Sequence, residues 1–181
     1  LVTEQGLEVD QIENVQIHIT ERTLNGFVGA RFDPAERRVV AGLFSIHFTA
    51  AAALLHGTVR PEHLTPEAMG DERIAALLQR ITLVGSLPNN QRLTAEATAT
   101  LKDGSTRHVR VENPAGDHLS APLGRVRLEE KFTLNLAFGH PELAARAPSI
   151  IDSVQTLELA DSLSGLLSAL NPTATITTPI A

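Results

Sequence analysis

The sequence predicts an α+β fold, in which a small sheet with a β-hairpin is packed by helices and followed by C-terminal helices. Val15, Ile17 and Ile19 alternate with polar residues, as in a strand that buries one face. Ser45 precedes an apolar, alanine-rich segment that ends at Gly57, which is typical of a capped and buried helix. Strands and helices are therefore interspersed without the strict alternation of a parallel α/β fold.

A β-hairpin is the clearest local signal. Apolar and polar residues alternate over 93–101, Asp103-Gly104 is a turn dipeptide, and 106–111 supplies the second strand. We expect the polar side of the first strand to face solvent. That side consists of Thr94, Glu96, Thr98 and Thr100.

The remaining elements follow in order along the chain. Thr65 is expected to cap a short helix, and Asp71 a second helix that reaches Arg80. A strand at 81–84 and helices at 128–138, 143–157 and 159–170 complete the prediction. The predicted organisation is an α+β domain at 1–139, a helical extension at 140–172 and a loose tail at 173–181.

Composition and charge exclude several classes of function. The net charge is -6 and the basic residues are scattered, so we expect no nucleic-acid partner. No apolar run approaches the roughly 20 residues of a membrane span, so no membrane partner is expected either. Cysteine is absent, which rules out disulfides and thiolate ligands and is compatible with the cytoplasmic location that we expect.

The histidines and glycines do not form a cofactor motif. The histidines lack the spacing of a metal site, so the sequence predicts no metal. Gly26, Gly29 and Gly42 do not follow a strand and open a helix as in a dinucleotide fingerprint. We therefore expect no cofactor.

Five segments, taken in their order, resemble a known family. They are Asp10-Gln11-Ile12-Glu13-Asn14-Val15, the run from Phe44 to Gly57, Leu101-Lys102-Asp103-Gly104, Asn113-Pro114-Ala115-Gly116 and Glu130-Lys131-Phe132. In this order they resemble the C-terminal part of MmgE/PrpD proteins, the family of 2-methylcitrate dehydratase. The resemblance extends from about Asp10 to Leu170, nearly the whole chain.

The resemblance implies that this chain is the smaller, α+β domain of an enzyme that has two domains. The family includes 2-methylcitrate dehydratase, cis-aconitate decarboxylase and iminodisuccinate epimerase, which abstract a proton beside a carboxylate without metal or organic cofactor. Most of that chemistry is credited to a large helical domain, so the resemblance implies that these 181 residues are inactive alone. The last helices would dock on that helical domain or form a homodimer, because their leucines exceed what a small sheet domain needs.

The segment Ser45-Ile46-His47-Phe48 is the expected substrate-facing part, because the equivalent helix start lies at the domain cleft in relatives. The family pattern is Phe-Ser-aliphatic-Pro-Tyr, and here His47 and Phe48 replace the proline and the tyrosine. A helix start offers free N–H groups and positive potential to a carboxylate, which makes Ser45 a candidate for substrate binding. The same dipole keeps an imidazole neutral, which makes His47 the candidate catalytic residue. Both residues also have plain structural interpretations, as a helix cap and as a side chain at a domain contact.

Arg37 and Arg38 follow Pro34 ahead of the helix and are candidates for clamping a substrate carboxylate. A solvated surface pair is the alternative. The leading hypothesis is therefore a domain or subunit of a lyase or isomerase that dehydrates, decarboxylates or epimerises a small carboxylic acid. The rival is a binding or scaffold domain that kept the fold without catalysis, which Phe48 favours because it lacks the phenolic hydroxyl.

Overall fold

A computed structural model describes residues 6–35 and 39–172 of the chain. The chain divides into two compact units, Leu1–Ala121 and Pro122–Ala181. The sequence predicts a domain boundary after residue 139, whereas the helix Arg125–Gly139 groups with the later helices. The predicted tail at 173–181 lies outside the described residues.

The first unit contains four strands and, in its described part, five α-helices. The strands are β1 (Ile12–Thr20), β2 (Ile81–Leu87), β3 (Ala95–Leu101) and β4 (Thr106–Val111). The helices are α1 (Glu21–Leu24), α2 (Val39–Leu43), α3 (Ile46–His56), α4 (Pro66–Met69) and α5 (Glu72–Leu78). Short 3-10 turns lie at Val9–Gln11, Phe27–Gly29 and Pro61–Leu64.

The four strands form one mixed sheet in the order β2-β1-β3-β4. Strand β1 runs parallel to β2 and antiparallel to β3, and β3 and β4 are the predicted hairpin. A parallel pair needs a long crossover, which the helices α1 to α5 supply between β1 and β2. The predicted α+β class is confirmed.

One face of this sheet carries the core. Val15, Ile17 and Ile19 are buried as their alternation predicts, and Ile81 and Leu83 of β2 lie beside them in register. Helices α3 and α5 pack together, and α3 also packs on β2. Burying an aliphatic or aromatic side chain in this way stabilises the fold by roughly 1.5–3 kcal/mol.

The other face of the sheet is polar. In register across it lie Gln16, Thr98 and His108, whose ring Nδ1 is 3.1 Å from the Thr98 hydroxyl. Glu96, Thr98 and Thr100 lie on this face as predicted, but only partly exposed. Thr94 is different: it precedes β3 and is buried, so the prediction that it faces solvent is wrong.

The hairpin turn forms as its sequence predicts. Gly104 has a positive φ of 82°, a conformation that glycine adopts without strain. The Leu101 N–H donates to the Ser105 carbonyl at 2.8 Å, and the Asp103 carboxylate accepts the Ser105 N–H at 2.9 Å. Local chemistry alone therefore closes this turn.

The second unit is helical in its described part, but two of its helices are shorter than predicted. Its helices are α6 (Arg125–Gly139), α7 (Ala147–Gln155) and α8 (Ser164–Leu170), with 3-10 turns at Pro141–Arg146 and Leu157–Leu159. The predicted helix at 143–157 is wrong before Ala147 because Pro148 has no N–H to donate, and it lies in the first turn of α7 instead of an interior one. The predicted helix at 159–170 begins only at Ser164, after a turn in which Ser162 accepts the Ser164 N–H.

Across residues 6–35 and 39–172, none of the helices combines the length and the apolar character that crossing a bilayer requires.

Candidate functional site

Ser45 caps helix α3, as its sequence context predicts. Its hydroxyl oxygen accepts the Phe48 N–H at 3.3 Å and contacts the Ala30 carbonyl oxygen at 3.5 Å. Its backbone is extended and its side chain is buried. Gly57 ends the helix with a left-handed φ of 72°. The serine thus joins the start of α3 to the segment that follows the Phe27–Gly29 turn.

At this helix start, two backbone N–H groups have no acceptor among the described residues. The Ser45 hydroxyl accepts a hydrogen bond from the Phe48 N–H, and the Ser45 carbonyl accepts one from the Thr49 N–H at 3.0 Å. For the N–H groups of Ile46 and His47, the described residues supply no acceptor. Free donors and the positive end of the helix dipole suit a carboxylate ligand.

His47 is partly buried in the first turn of α3. Its Nδ1 atom is buried, and no hydrogen-bond partner for it lies within the described ranges. Burial lowers the pKa of His47, and the positive charge of Arg31 lowers it further. Hydrogen bonding with the Ala30 backbone acts in the opposite direction and raises the pKa. Arg31 itself is anchored, since its Nη2 donates to the Gln79 side chain at 3.0 Å. A neutral ring at pH 7 has a nitrogen that is able to accept a proton.

Phe48 occupies the place of the tyrosine in the family pattern, and its side chain is fully buried. Its ring packs on Phe32 with centroids 4.8 Å apart at a tilt of 54°. This position therefore contributes to the core of the first unit, and it offers no hydroxyl to a ligand.

An apolar surface lies beside the helix start. Phe27 and Phe44 are 70% and 50% exposed, and their ring centroids are 5.6 Å apart. We name them the Phe27–Phe44 pair. Neither this pair nor Arg31 was a candidate from the sequence, because no spacing rule relates residues 27–31 to a helix that begins at Ile46.

Of the predicted site residues, the structure brings Ser45 and His47 together at one helix start. Arg37 and Arg38 lie outside the described residues, so their role as a carboxylate clamp stays a prediction. Elsewhere, His56 and His63 stack with ring centroids 4.0 Å apart. In the part of the chain that the structure describes, no three His, Cys, Asp or Glu side chains are grouped to hold a metal ion.

We expect the stability of the fold to depend on pH through His47. Its folded-state pKa lies below its ordinary value of 6.5, so the unfolded chain takes up a proton first as the pH falls. The stabilisation from the neutral ring is complete above about pH 6.5 and is lost as the pH falls towards the lowered folded-state pKa. Urea denaturation at about pH 5.5 and 7.5 measures the free energy of unfolding. The difference between its two values should be smaller in His47→Gln than in the wild type.

His56 supplies the control, because burial, His63 and Arg73 also lower its pKa. His56→Gln should leave the titration of the His47 ring unchanged when it is followed by NMR. A His47 ring that titrates at or above its ordinary value would contradict the prediction.

The comparison with known proteins now identifies the family. The family model of the MmgE/PrpD C-terminal domain matches residues 1–157, which include the whole sheet and the helix start at Ser45. No curated protein matches the chain significantly. The resemblance predicted from the order of the sequence segments is confirmed, and the chain belongs to the MmgE/PrpD family through its C-terminal domain.

Proposed function

We propose that this chain forms one wall of the active-site cleft of a lyase or isomerase that acts on a small carboxylic acid without metal or organic cofactor. The observation that carries the proposal is the position of His47 in the first turn of α3, where burial and the charge of Arg31 keep its ring neutral. It lies in the same helical turn as the N–H groups of Ile46 and His47, for which the described residues supply no acceptor. Membership of a family that suggests a lyase supports this interpretation.

In this proposal the substrate carboxylate binds the N–H groups of Ile46 and His47, with Ser45 holding the turn in shape. The carboxylate replaces solvent at the positive end of the helix dipole. The neutral ring of His47 then accepts or returns the proton next to that carboxylate. Arg37 and Arg38 supply a further clamp in the same proposal. Dehydration and epimerisation begin with removal of this proton, whereas in decarboxylation the C–C bond to CO2 breaks and a proton is delivered to the carbon that keeps the electron pair.

The opposite wall comes from a helical domain of the family type or from a second copy of this chain. The second unit carries a set of exposed leucines, of which Leu159 is 86% exposed. The other exposed leucines after α7 are Leu157, Leu163, Leu167 and Leu170. Exposed apolar surface of this kind marks interaction sites in soluble proteins, and we propose that it docks on that partner in the cytoplasm.

A charge change beside the helix start tests the carboxylate site. Phe44 immediately precedes the Ser45 cap and is half exposed, so Phe44→Glu adds a negative charge there at little cost in burial. We expect small di- and tricarboxylates to bind about fivefold to tenfold more weakly, as a unit charge at close range near a surface predicts. The measurement is an NMR titration that follows the Ile46 and His47 amides.

Phe44→Gln is the matched control, because it loses the same ring contact with Phe27 but adds no charge. It should bind the acids about as well as Phe44→Leu, which keeps an apolar side chain. Equal affinities for the Glu and Gln variants would show that no carboxylate docks at this helix start, and the proposed role of Ser45 and His47 would fall with it.

A second function is favoured by Phe48. Its complete burial against Phe32 leaves the family's tyrosine position without a polar group at the helix start. The alternative is accordingly a non-catalytic binding or scaffold domain. It predicts carboxylate binding with no turnover when the helical partner is supplied, whereas the enzyme proposal predicts turnover that His47→Gln abolishes.

A further inference from the structure

A polar groove lies in the first unit and shares no residue with the helix start. Its volume is about 820 Å³. It is lined by Thr23, Val28, Asn90, Gln91, Arg92, Leu93, Thr94, Glu112 and Asn113. Most of these residues carry a hydroxyl, a carboxamide or a charge. The lining therefore offers several polar groups to a small ligand, with Val28 and Leu93 as its apolar members.

One side of this groove is held by a hydrogen-bonded network centred on Arg110. Its Nε donates to the Glu112 carboxylate at 2.5 Å, its Nη1 pairs with Glu96, and its Nη2 donates to the Gln91 side chain at 3.3 Å. The hydroxyl of buried Thr94 is also 3.2 Å from the Glu112 carbonyl oxygen and 3.3 Å from a Glu112 carboxylate oxygen. The network ties the loop before β3 to the end of β4, so the lining is ordered before a ligand arrives.

The remaining polar lining consists of Thr23, whose hydroxyl is 2.8 Å from that of Thr20, and of three further polar side chains. For the side chains of Asn90, Arg92 and Asn113, no hydrogen-bond partner lies among residues 6–35 and 39–172. These three side chains offer a guanidinium and two carboxamides to a ligand.

The charges in and around the groove are of both signs and lie on different residues. Arg92 carries a positive charge with no carboxylate partner in the described residues. The network pairs two carboxylates, Glu96 and Glu112, with the single guanidinium of Arg110 and so keeps one negative charge. Hydrogen bonding to Arg110 also lowers the pKa of Glu112, which keeps that carboxylate ionised. The groove thus presents a cationic group and an anionic group to the same ligand.

We propose that this groove binds a free zwitterionic amino acid with a polar side chain. The ligand carboxylate pairs with Arg92, its ammonium group with the Glu112 carboxylate, and its side chain with the carboxamides of Asn90 and Asn113. A simple anion would meet the one negative charge that Glu96 and Glu112 retain beside Arg110, and a simple cation would meet Arg92, so each is disfavoured relative to the zwitterion.

Three probes of nearly equal size test the proposal on the 181-residue chain. Asparagine is the zwitterion, succinamate is the same molecule without the ammonium group, and 3-aminopropanamide is the same molecule without the carboxylate. NMR titration should shift the side-chain amides of Asn90 and Asn113, and asparagine should bind about tenfold more tightly than either truncated probe, as loss of a charge-assisted bond implies.

Two variants assign the charges. Arg92→Gln should abolish the preference for asparagine over 3-aminopropanamide, and Glu112→Gln should abolish the preference over succinamate. Arg107→Gln is the control: Arg107 is an exposed arginine outside the groove lining, and the variant should keep both preferences.

Several outcomes would overturn the proposal. If succinamate binds as tightly as asparagine, the groove is a plain anion site. If 3-aminopropanamide binds as tightly as asparagine, it is a cation site. Absence of any shift at Asn90 and Asn113 at saturating probe would show that the groove takes no amino acid. Because Ser45 and His47 lie outside the groove, none of these results depends on the proposal for the helix start.

Discussion

Gly29→Ala should destabilise the first unit by about 3 kcal/mol or more, which is the largest effect that we expect of any single substitution here. A Cβ atom at Gly29 would lie 2.1 Å from the carbonyl oxygen of Leu24 and 2.8 Å from that of Thr23. Both are backbone atoms at α1, so relief requires the chain to shift and not a side chain to rotate. Urea denaturation of the variant measures the loss.

Gly26→Ala is the matched control in the same segment. Its Cβ would lie 3.1 Å from the Arg22 carbonyl oxygen and 3.3 Å from that of Thr23, contacts that a shift of a few tenths of an ångström relieves. We expect a loss of about 1 kcal/mol or less. Similar losses for the two variants would contradict the close approach at Gly29.

The backbone shift caused by Gly29→Ala should also change the candidate site. Gly29 precedes Ala30, whose carbonyl contacts the Ser45 hydroxyl and influences the His47 ring. Where the variant stays folded at low temperature, we expect the titration of His47 to change. An unchanged titration would show that the Ala30 segment is independent of the helix start.

Phe48→Tyr should destabilise the fold by about 1–3 kcal/mol, although it restores the residue of the family pattern. The Phe48 side chain is fully buried against Phe32, so an added hydroxyl would lose its water and would need a partner inside the core. Thermal and urea denaturation of the purified variant provide the measurement.

Phe44→Tyr makes the same chemical change at a half-exposed ring and should alter stability by no more than about 0.5 kcal/mol. A Phe48→Tyr variant as stable as the wild type would mean that the para position reaches a partner or solvent. That result would also remove the observation on which the scaffold alternative rests.

Several features of this protein follow from residues that are close in sequence. The alternation of Val15, Ile17 and Ile19 predicts a buried strand face, and Asp103-Gly104 predicts the turn of the hairpin. Ser45 and Gly57 predict both ends of helix α3. In each case the decisive interaction joins neighbours in the chain, so sequence alone was sufficient.

The order of the motifs predicted the family, and the interspersed strands and helices predicted the α+β class. The helical extension was predicted less well, since the helices at 143–157 and 159–170 are interrupted. Leucines are compatible with long helices, but Pro148 and the turn before Ser164 decide where helical hydrogen bonding begins.

The surroundings of the candidate site were decided only by the tertiary structure. Arg31 lowers the pKa of His47 because the tertiary structure brings its charge close to that ring, and Phe48 becomes a core residue because Phe32 packs on it. Thr94 is buried because the end of β4 brings Glu112 to its hydroxyl. These contacts join residues that are distant in sequence, and a periodic pattern specifies which face of an element is buried but not which distant group lies against it.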